Sequence, residues 1–247
     1  MYFSKLLLGF FSLFVSTPTH AGDFSYNEPS TAWANLPAGS SIPVERVRLS
    51  FSPDEVLQMQ DSLKHARHSY LNSGDRDQND WISRASDSWS EITVPNLETD
   101  LNRHPQFNAS LAVDGQSSNI HFMALFSQEP AAIPIVLLHG WPGNVAEFSD
   151  LFDIFRSRYS PADCPFHLIV PSLPGYTFSS GNPILDRADL VRVTRTIDRF
   201  LADIGLDNGY IAHGGDIGSY IARMLGSYSS NCKGGLFPDG TCSLRDC

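Results

Sequence analysis

Two glycine-rich turns carry the residues in this sequence that are best suited to chemistry. One is His139-Gly140-Trp141-Pro142-Gly143 and the other is Gly214-Gly215-Asp216-Ile217-Gly218. In the second turn, glycines stand two positions before and two positions after Asp216. That spacing is typical of a sharp strand-to-helix turn that exposes its central side chain. A helix beginning at Ile217 would direct its N-terminal amides towards Asp216, which favours a carboxylate suited to nucleophilic attack.

The first turn helps to decide between two interpretations of Asp216. Taken alone, the residue could equally cap the following helix. An ester formed on Asp216, however, would have to be attacked by water, and the resulting oxyanion needs two backbone N–H donors. We expect Ile217 and Trp141 to supply them. His139 and His213 are both expected to make structural hydrogen bonds rather than to act as bases.

The elements that must position these turns alternate between strands and helices. Apolar runs predict buried strands at 133–138, 166–170 and 210–212, and periodicity predicts helices near 146–155, 186–204 and 217–225. Gly205 is expected to end the second of these helices. This alternation predicts an α/β domain with a parallel sheet. Ligands bind at the carboxyl ends of such strands, which is where both turns lie.

The residues before this core are organised differently. Residues 22–50 are predicted to form an extended arm, and a helix is expected after Ser52, with Pro53 in its first turn and Glu55 completing a capping box. His65 and His68 are expected to lie in solvent on that helix. The polar stretch 72–109 has scattered large apolar residues that indicate a segment wrapping against another surface. Residues 111–126 predict a β-hairpin.

Composition excludes some classes of partner. The 247 residues are 42% hydrophobic and 18% charged, with a formal net charge of −10 and no cluster of Lys and Arg, so we expect no nucleic-acid partner. Residues 1–21 predict a secretory signal peptide, because Lys5 precedes the apolar run Leu6–Val15. The expected location is the secretory pathway, either secreted or associated with the endoplasmic reticulum. Membrane association is expected only if this segment stays uncleaved.

The cysteines do not predict a metal site. Cys164 stands alone, while the other three cysteines fall near the C-terminus with spacings that match no zinc pattern, at Cys232, Cys242 and Cys247. A disulfide is allowed in an oxidising compartment, with the pairing left open. The triplet Asn108-Ala109-Ser110 is a glycosylation acceptor sequence.

Several motifs together resemble the epoxide hydrolases, specifically the microsomal and juvenile-hormone type that carries an N-terminal extension. The motifs span about residues 45–232 in consistent order: 101–107 (LNRHPQF), 113–115 (VDG), 120–122 (IHF), 139–142 (HGWP), 171–176 (PSLPGY) and 214–218 (GGDIG). The resemblance implies the first part of an α/β-hydrolase sheet, preceded by an N-terminal wrapping segment. We therefore divide the chain into a signal peptide (1–21), an N-terminal extension with the first hairpin (22–130), a partial core (131–232) and an aberrant tail (233–247).

The resemblance also implies a reaction. Asp216 would attack a carbon of a small hydrophobic epoxide and form an alkyl ester, with Trp141 and Ile217 as oxyanion donors and no cofactor or metal. Water would then release a vicinal diol, activated by a histidine–acid pair, while tyrosines of a cap domain protonate the departing oxygen. A haloalkane dehalogenase-like hydrolase is one alternative, although Ile217 has no side-chain donor for a halide. A non-catalytic secreted fragment is another.

The sequence departs from the family after Asp216. The family order is nucleophile, cap, acid and base, but 31 residues follow Asp216 here and none of them is histidine. We therefore expect a C-terminally truncated and inactive product. Pro238 and the glycines of the tail predict a poor central strand. The substrate and the oligomeric state are left open.

Overall fold

A computed structural model of the chain describes residues 19–20, 31–70, 76–113, 115–181, 187–236 and 242–244. The predicted signal peptide lies outside these residues except for Thr19–His20, which form the short strand β1. Within the described part of the chain, no helix combines the length and apolarity needed to cross a membrane.

Three helices and strand β2 lie between residue 31 and the hairpin. A 3₁₀ turn at Thr31–Trp33 is followed by strand β2 (Val44–Leu49) and helices α1 (Pro53–Tyr70), α2 (Arg76–Ser90) and α3 (Val94–Leu101). The predicted capping box of α1 is confirmed, because the Asp54 N–H donates to Ser52 Oγ at 3.2 Å and the Ser52 N–H donates to Glu55 Oε2 at 3.3 Å. His65 is exposed, as expected. The side chain of His68 lies outside the described residues.

Within the polar stretch 72–109, helices α2 and α3 were missed by the sequence analysis. A usable signal was present at α3, where the Thr93 hydroxyl accepts from the Asn96 N–H at 3.4 Å and a proline stands in the first turn. The helix does wrap against the rest of the fold. Its residues Leu97 and Leu101 are buried in a hydrophobic cluster that extends from Leu49 to Phe178.

The hairpin is confirmed and is longer than predicted. Strand β3 (Gln106–Val113) pairs antiparallel with β4 (Gln116–Leu125), and Val113 and Gln116 are the last pair at the end where the two strands connect. Strand β2 lies on the other side of β3, so the predicted extended arm contributes a sheet strand. Asn108 lies inside β3 and is only 8% exposed. The glycosylation acceptor sequence is therefore inaccessible in the folded chain.

The core that follows is parallel, as predicted. Strands β5 (Ile133–Leu138), β6 (Phe166–Pro171), β7 (Tyr210–Gly214) and β8 (Cys232–Leu236) all run in the same direction. Their connections contain helices α4 (Ser149–Arg158), α5 (Arg187–Leu201) and α6 (Ile217–Tyr228). A 3₁₀ turn at Val145–Phe148 precedes α4, and a π-type turn at Ala202–Leu206 follows α5. Gly205 adopts a φ of +94° in this π-type turn, consistent with its predicted role in ending the helix.

One expectation about the tail was wrong. The glycines after Lys233 predicted a poor strand, yet Cys232–Leu236 pair with β7, and β9 (Cys242–Leu244) then pairs antiparallel with β8. Gly234 and Gly235 are buried. Backbone hydrogen bonds to a neighbouring strand do not depend on side chains, so a buried site can accept glycines that propensity alone disfavours.

The order of the strands brings the two glycine-rich turns together. The sheet runs β1-β2-β3-β4-β6-β5-β7-β8-β9, so β5 lies between β6 and β7. The turns after β5 and β7 therefore leave the same edge of the sheet on neighbouring strands. The main hydrophobic cluster packs residues of the sheet against α5 and α6, and it includes Val193, Ile197 and Leu201, which form an apolar stripe along α5. A second cluster contains Phe152 of α4.

Candidate active site

The turn at Asp216 is as tight as its glycines predict. Asp216 has φ 49° and ψ −126°, a backbone conformation that non-glycine residues rarely adopt. A Cβ on Gly214 would lie 2.5 Å from the carbonyl carbon of Gly218, and a Cβ on Gly218 would lie 2.8 Å from the His139 carbonyl oxygen. Strand and helix therefore leave no room for a side chain two positions before or two positions after Asp216. The strained turn holds its carboxylate in an exposed position at the edge of the sheet.

The side chain of Asp216 does not cap helix α6. The contact of Asp216 with the first turn of the helix is made by its backbone: its carbonyl oxygen accepts from Ser219 Oγ at 2.6 Å and from the Ser219 N–H at 3.0 Å. Asp216 makes no side-chain capping hydrogen bond. Instead, its Oδ1 accepts from the Trp141 N–H at 2.9 Å. The capping interpretation is therefore wrong for the carboxylate, which faces the first turn.

The first turn lies directly against Asp216. A Cβ on Gly140 would stand 2.5 Å from the Asp216 Cβ, so only glycine allows this approach. The indole of Trp141 is 70% exposed, which leaves its backbone amide as the part that contacts Asp216. The Trp141–Pro142 peptide bond is cis.

Ile217, the other expected donor, is the first residue of α6 and follows Asp216 directly. The N–H groups in the first turn of a helix have no partner within the helix, and the helix dipole is positive there. The role of the Ile217 N–H stays a prediction.

His139 makes the structural hydrogen bonds that we expected. It is completely buried, its Nδ1 lies 3.1 Å from the Gly140 carbonyl oxygen, and its Nε2 accepts from the Leu173 N–H at 3.0 Å. Burial lowers its pKa to about 4, so the ring is neutral at physiological pH. His213 lies within β7, in register with Leu137 of β5, and its role stays a prediction.

Two residues near Asp216 were given no role from the sequence. The Glu147 carboxylate contacts Gly143 of the first turn so closely that a Cβ there would collide with it. Burial of this carboxyl group, together with the charge of Asp216, raises the pKa of Glu147 to about 7, although the residue as a whole is still exposed. Burial and the same charge raise the pKa of Tyr176, which follows β6. Tyr176 ends the motif 171–176 but had no role assigned from sequence, and Glu147 belongs to no motif. Tertiary contact alone brings the two residues to Asp216.

The site consists of the exposed Asp216 carboxylate, a backbone donor and a second carboxyl group of raised pKa. Among the residues that the structure describes, no group of three or more His, Cys, Asp or Glu side chains is arranged to hold a metal ion. The arrangement is suited to covalent catalysis through an ester of Asp216.

The sequence matches two family models in succession. Residues 44–148 match the epoxide hydrolase N terminus, and residues 133–237 match the alpha/beta hydrolase fold. The chain belongs to the epoxide hydrolase family. The second match reaches into the predicted tail and includes β8, in agreement with the pairing of that strand.

Relatives and solved structures support the same family. A protein of Dothistroma septosporum named "Putative epoxide hydrolase" is 31% identical over 213 residues, covering 82% of this chain and 50% of that protein. The juvenile hormone epoxide hydrolase of Bombyx mori is 31% identical over 153 residues, covering 58% of this chain and 32% of the relative. The structure of Aspergillus niger epoxide hydrolase superposes with a TM-score of 0.70 at 38% identity, covering 87% of this chain and 56% of that one.

These comparisons favour the epoxide hydrolases over the dehalogenase alternative. They also confirm the α/β-hydrolase fold and the N-terminal segment of the epoxide hydrolase type. The chain spans about half the length of the first curated relative that it matches.

Proposed function

We propose that this epoxide hydrolase family member opens a small hydrophobic epoxide through an alkyl ester on Asp216. The observation that carries the proposal is the hydrogen bond of 2.9 Å from the Trp141 N–H to Asp216 Oδ1. It engages one carboxylate oxygen and leaves Oδ2 for attack. Oδ1 is also the oxygen that would stay a carbonyl in the ester, so the donor contacts the atom on which negative charge develops later.

In the first step, Oδ2 attacks an epoxide carbon as the bond from that carbon to the epoxide oxygen breaks. The electron pair of this bond goes to the oxygen, and the resulting alkoxide takes up a proton. The resemblance implies that tyrosines of a cap domain supply this proton, and no motif identified in this sequence contains them. Glu147, with a pKa of about 7, is a carboxylic acid for part of the time at neutral pH and stands near Asp216.

In the second step, water adds to the ester carbon and the carbonyl electrons move to Oδ1. The N–H groups of Trp141 and Ile217 would stabilise that oxyanion, an effect worth about 10² to 10³ in rate for one donor. The intermediate then collapses to the carboxylate and releases the vicinal diol. Of the two protons of the water, one goes to the departing alkoxide and the other replaces the proton taken up in the first step. No histidine follows Asp216 in the 247 residues, so we expect this chain by itself to hydrolyse the ester slowly.

The test is to incubate the full chain with styrene oxide and to search for a mass increase on the peptide that contains Asp216. We expect one covalent adduct on Asp216 and its absence from Asp216→Asn, since an amide oxygen is a poor nucleophile. Asp207→Asn is the matched control, because it removes an exposed aspartate beyond helix α5. That variant should react as the wild type does.

Two results would contradict the proposal. If the wild-type chain gives no Asp216 adduct, or if Asp216→Asn reacts at the wild-type rate, Asp216 is not the nucleophile. Binding of the epoxide without reaction, unchanged by Asp216→Asn, would support the non-catalytic alternative. Rapid release of diol by the isolated chain would contradict slow hydrolysis and leave the nucleophile in place.

We also propose that the protein enters the secretory pathway through residues 1–21. The support is the charge of Lys5 before the apolar run Leu6–Val15, followed by small residues at a cleavage site before Gly22. Expression in a eukaryotic secretion host should yield a protein whose first residue is Gly22. Recovery of the protein inside the cell with residues 1–21 still attached would contradict this proposal.

A further inference from the structure

His139 contacts the peptide group that supplies the oxyanion donor. Its Nδ1 lies 3.1 Å from the Gly140 carbonyl oxygen, and that carbonyl belongs to the same peptide unit as the Trp141 N–H. In a trans peptide, the carbonyl and the N–H point in opposite directions within one plane. A hydrogen bond to the carbonyl therefore constrains the direction of the N–H. In this structure the N–H points at Asp216 Oδ1.

The partners of His139 determine its tautomer. The Gly140 carbonyl can only accept, so Nδ1 must carry the proton. The Leu173 N–H can only donate, so Nε2 must be the acceptor, at 3.0 Å. The ring is therefore neutral when both bonds are made. The low pKa of about 4 that burial causes agrees with this assignment.

Leu173 belongs to the turn that follows strand β6, which also contributes to the site. The Tyr176 N–H donates to the Leu173 carbonyl at 2.8 Å, and the Tyr176 ring packs edge-on against His139 with ring centroids 5.4 Å apart. The charge of Asp216 contributes to the raised pKa of Tyr176. His139 thus joins the first turn to the turn that carries Tyr176.

We infer that His139 is a positioning residue, which holds the Gly140–Trp141 peptide so that the Trp141 N–H points at Asp216. The inference rests on the proposed function, since it gives His139 its role through the oxyanion donor. It assigns His139 no contact with the substrate and no proton transfer.

The two hydrogen bonds of His139 can be tested separately. In His139→Asn the side-chain amide nitrogen can take the place of Nδ1 and donate to the Gly140 carbonyl, while the bond to Leu173 is lost. In His139→Gln the amide oxygen can take the place of Nε2 and accept from the Leu173 N–H, while the bond to Gly140 is lost. A merely structural role would make both variants equivalent once their stability is taken into account. A positioning role requires the asparagine variant to react faster.

The rate of Asp216 alkylation by excess styrene oxide is the first readout. We expect His139→Gln to react about tenfold to a hundredfold more slowly than the wild type, because the Trp141 N–H would no longer hold the carboxylate in place for attack, and a misplaced reacting group loses up to about 10² in rate. His139→Asn should lie within about threefold of the wild type. His167→Gln is the matched control, because His167 is also buried and accepts a backbone N–H, from Ser127 at 3.0 Å. It lies near the start of β6, away from Asp216, and should leave the rate unchanged.

Hydrogen exchange of the Trp141 amide, followed by NMR, is the second readout and does not need a substrate. We expect faster exchange in His139→Gln than in His139→Asn or the wild type. If the wild type forms no adduct but the amide still responds in this way, the proposed function fails and the positioning role stands. Equal rates and equal exchange in the Asn and Gln variants would overturn the inference. So would an equal loss of rate in His167→Gln.

Discussion

Gly140 packs against the side chain of Asp216 so closely that no other residue type fits at position 140. A Cβ at position 140 would stand 2.5 Å from the Asp216 Cβ and 2.8 Å from its Oδ1. The two residues are far apart in sequence and meet because β5 and β7 are neighbours in the sheet. The position of the Asp216 carboxylate thus depends on the absence of a side chain at Gly140, in the other glycine-rich turn.

We therefore predict that Gly140→Ala displaces the Asp216 carboxylate. The rate of Asp216 alkylation by styrene oxide should fall at least about a hundredfold, because small misplacements of reacting groups have effects of that size. Gly226→Ala is the matched control, since a Cβ at this position in α6 meets nothing within 4 Å. It should leave the rate unchanged and stabilise the helix by about 0.5–1 kcal/mol. An unchanged rate in Gly140→Ala would show that the close approach does not position the carboxylate.

Glu147 should make the stability of the protein depend on pH. Its pKa is raised from 4.5 to about 7 in the folded chain, so from pH 4.5 to about 7 the unfolded chain loses a proton that the folded chain retains. The contribution of Glu147 to the free energy of unfolding is thus fully present below pH 4.5 and is lost as the pH rises to about 7. We expect Glu147→Gln to remove this component in urea titrations at several pH values.

Two further variants identify the cause of that pH dependence. Glu91→Gln alters an exposed carboxylate and should leave the dependence as it is in the wild type. Asp216→Asn removes the charge of Asp216, one of the two causes of the raised pKa of Glu147. We expect the pKa of Glu147 in the folded chain to fall in this variant but to stay above 4.5, because the burial remains. An unchanged pKa in Asp216→Asn would mean that burial alone raises the pKa of Glu147.

His104 should stabilise the contact between the N-terminal segment and α4. Its Nε2 donates to the Ser149 carbonyl at 3.1 Å and its Nδ1 accepts from Arg156 at 3.3 Å, with the residue 1% exposed. His104→Ala should lower the free energy of unfolding by about 1–3 kcal/mol, because buried groups lose their partners. The exposed His65 on α1 provides the control, and His65→Ala should change it by no more than about 0.5 kcal/mol.

The same histidine should weaken the fold in acid. Burial and the nearby Arg156 and Arg103 lower the pKa of His104 from 6.5 to about 3. Between pH 6.5 and about pH 3, His104 therefore binds a proton in the unfolded chain but not in the folded chain. The free energy of unfolding decreases as the pH falls through this range. We expect His104→Ala to show a shallower loss of stability from pH 6 to pH 4 than the wild type. An identical slope would contradict the low pKa.

Tyr210 should contribute to the core through Asp198. The Tyr210 hydroxyl donates to Asp198 Oδ1 at 2.8 Å and Ser229 Oγ donates to the same oxygen at 2.6 Å. Tyr210→Phe leaves Asp198 with one of these donors and should lower the free energy of unfolding by about 1–2 kcal/mol in urea titrations. Tyr220→Phe is the control. Because Tyr220 is 62% exposed, this substitution should leave the free energy of unfolding almost unchanged. Equal effects would place the contribution of Tyr210 outside this hydrogen bond.

Several features of the protein could be predicted from the sequence because their causes are local. The strands of the parallel core, the hairpin and the stripe of α5 follow from periodicity and turn residues, which act over a few positions. The glycines around Asp216 predicted a tight turn for the same reason. Helices α2 and α3 were missed because few apolar residues mark them, and β8 was missed because its glycines gain stability from a neighbouring strand.

Other features were decided only by the tertiary structure. The sequence itself determined the alternating α/β class, the two glycine-rich turns and Asp216 as a candidate nucleophile, since residue types and spacing are sufficient for those predictions. The hydrogen bond from Trp141 to Asp216 joins residues 75 positions apart and depends on β5 lying beside β7. The raised pKa of Glu147 and the bond from His139 to Leu173 depend on burial and on the packing of separate turns. Strand order and dielectric environment are properties of the whole fold, and no short stretch of sequence specifies them.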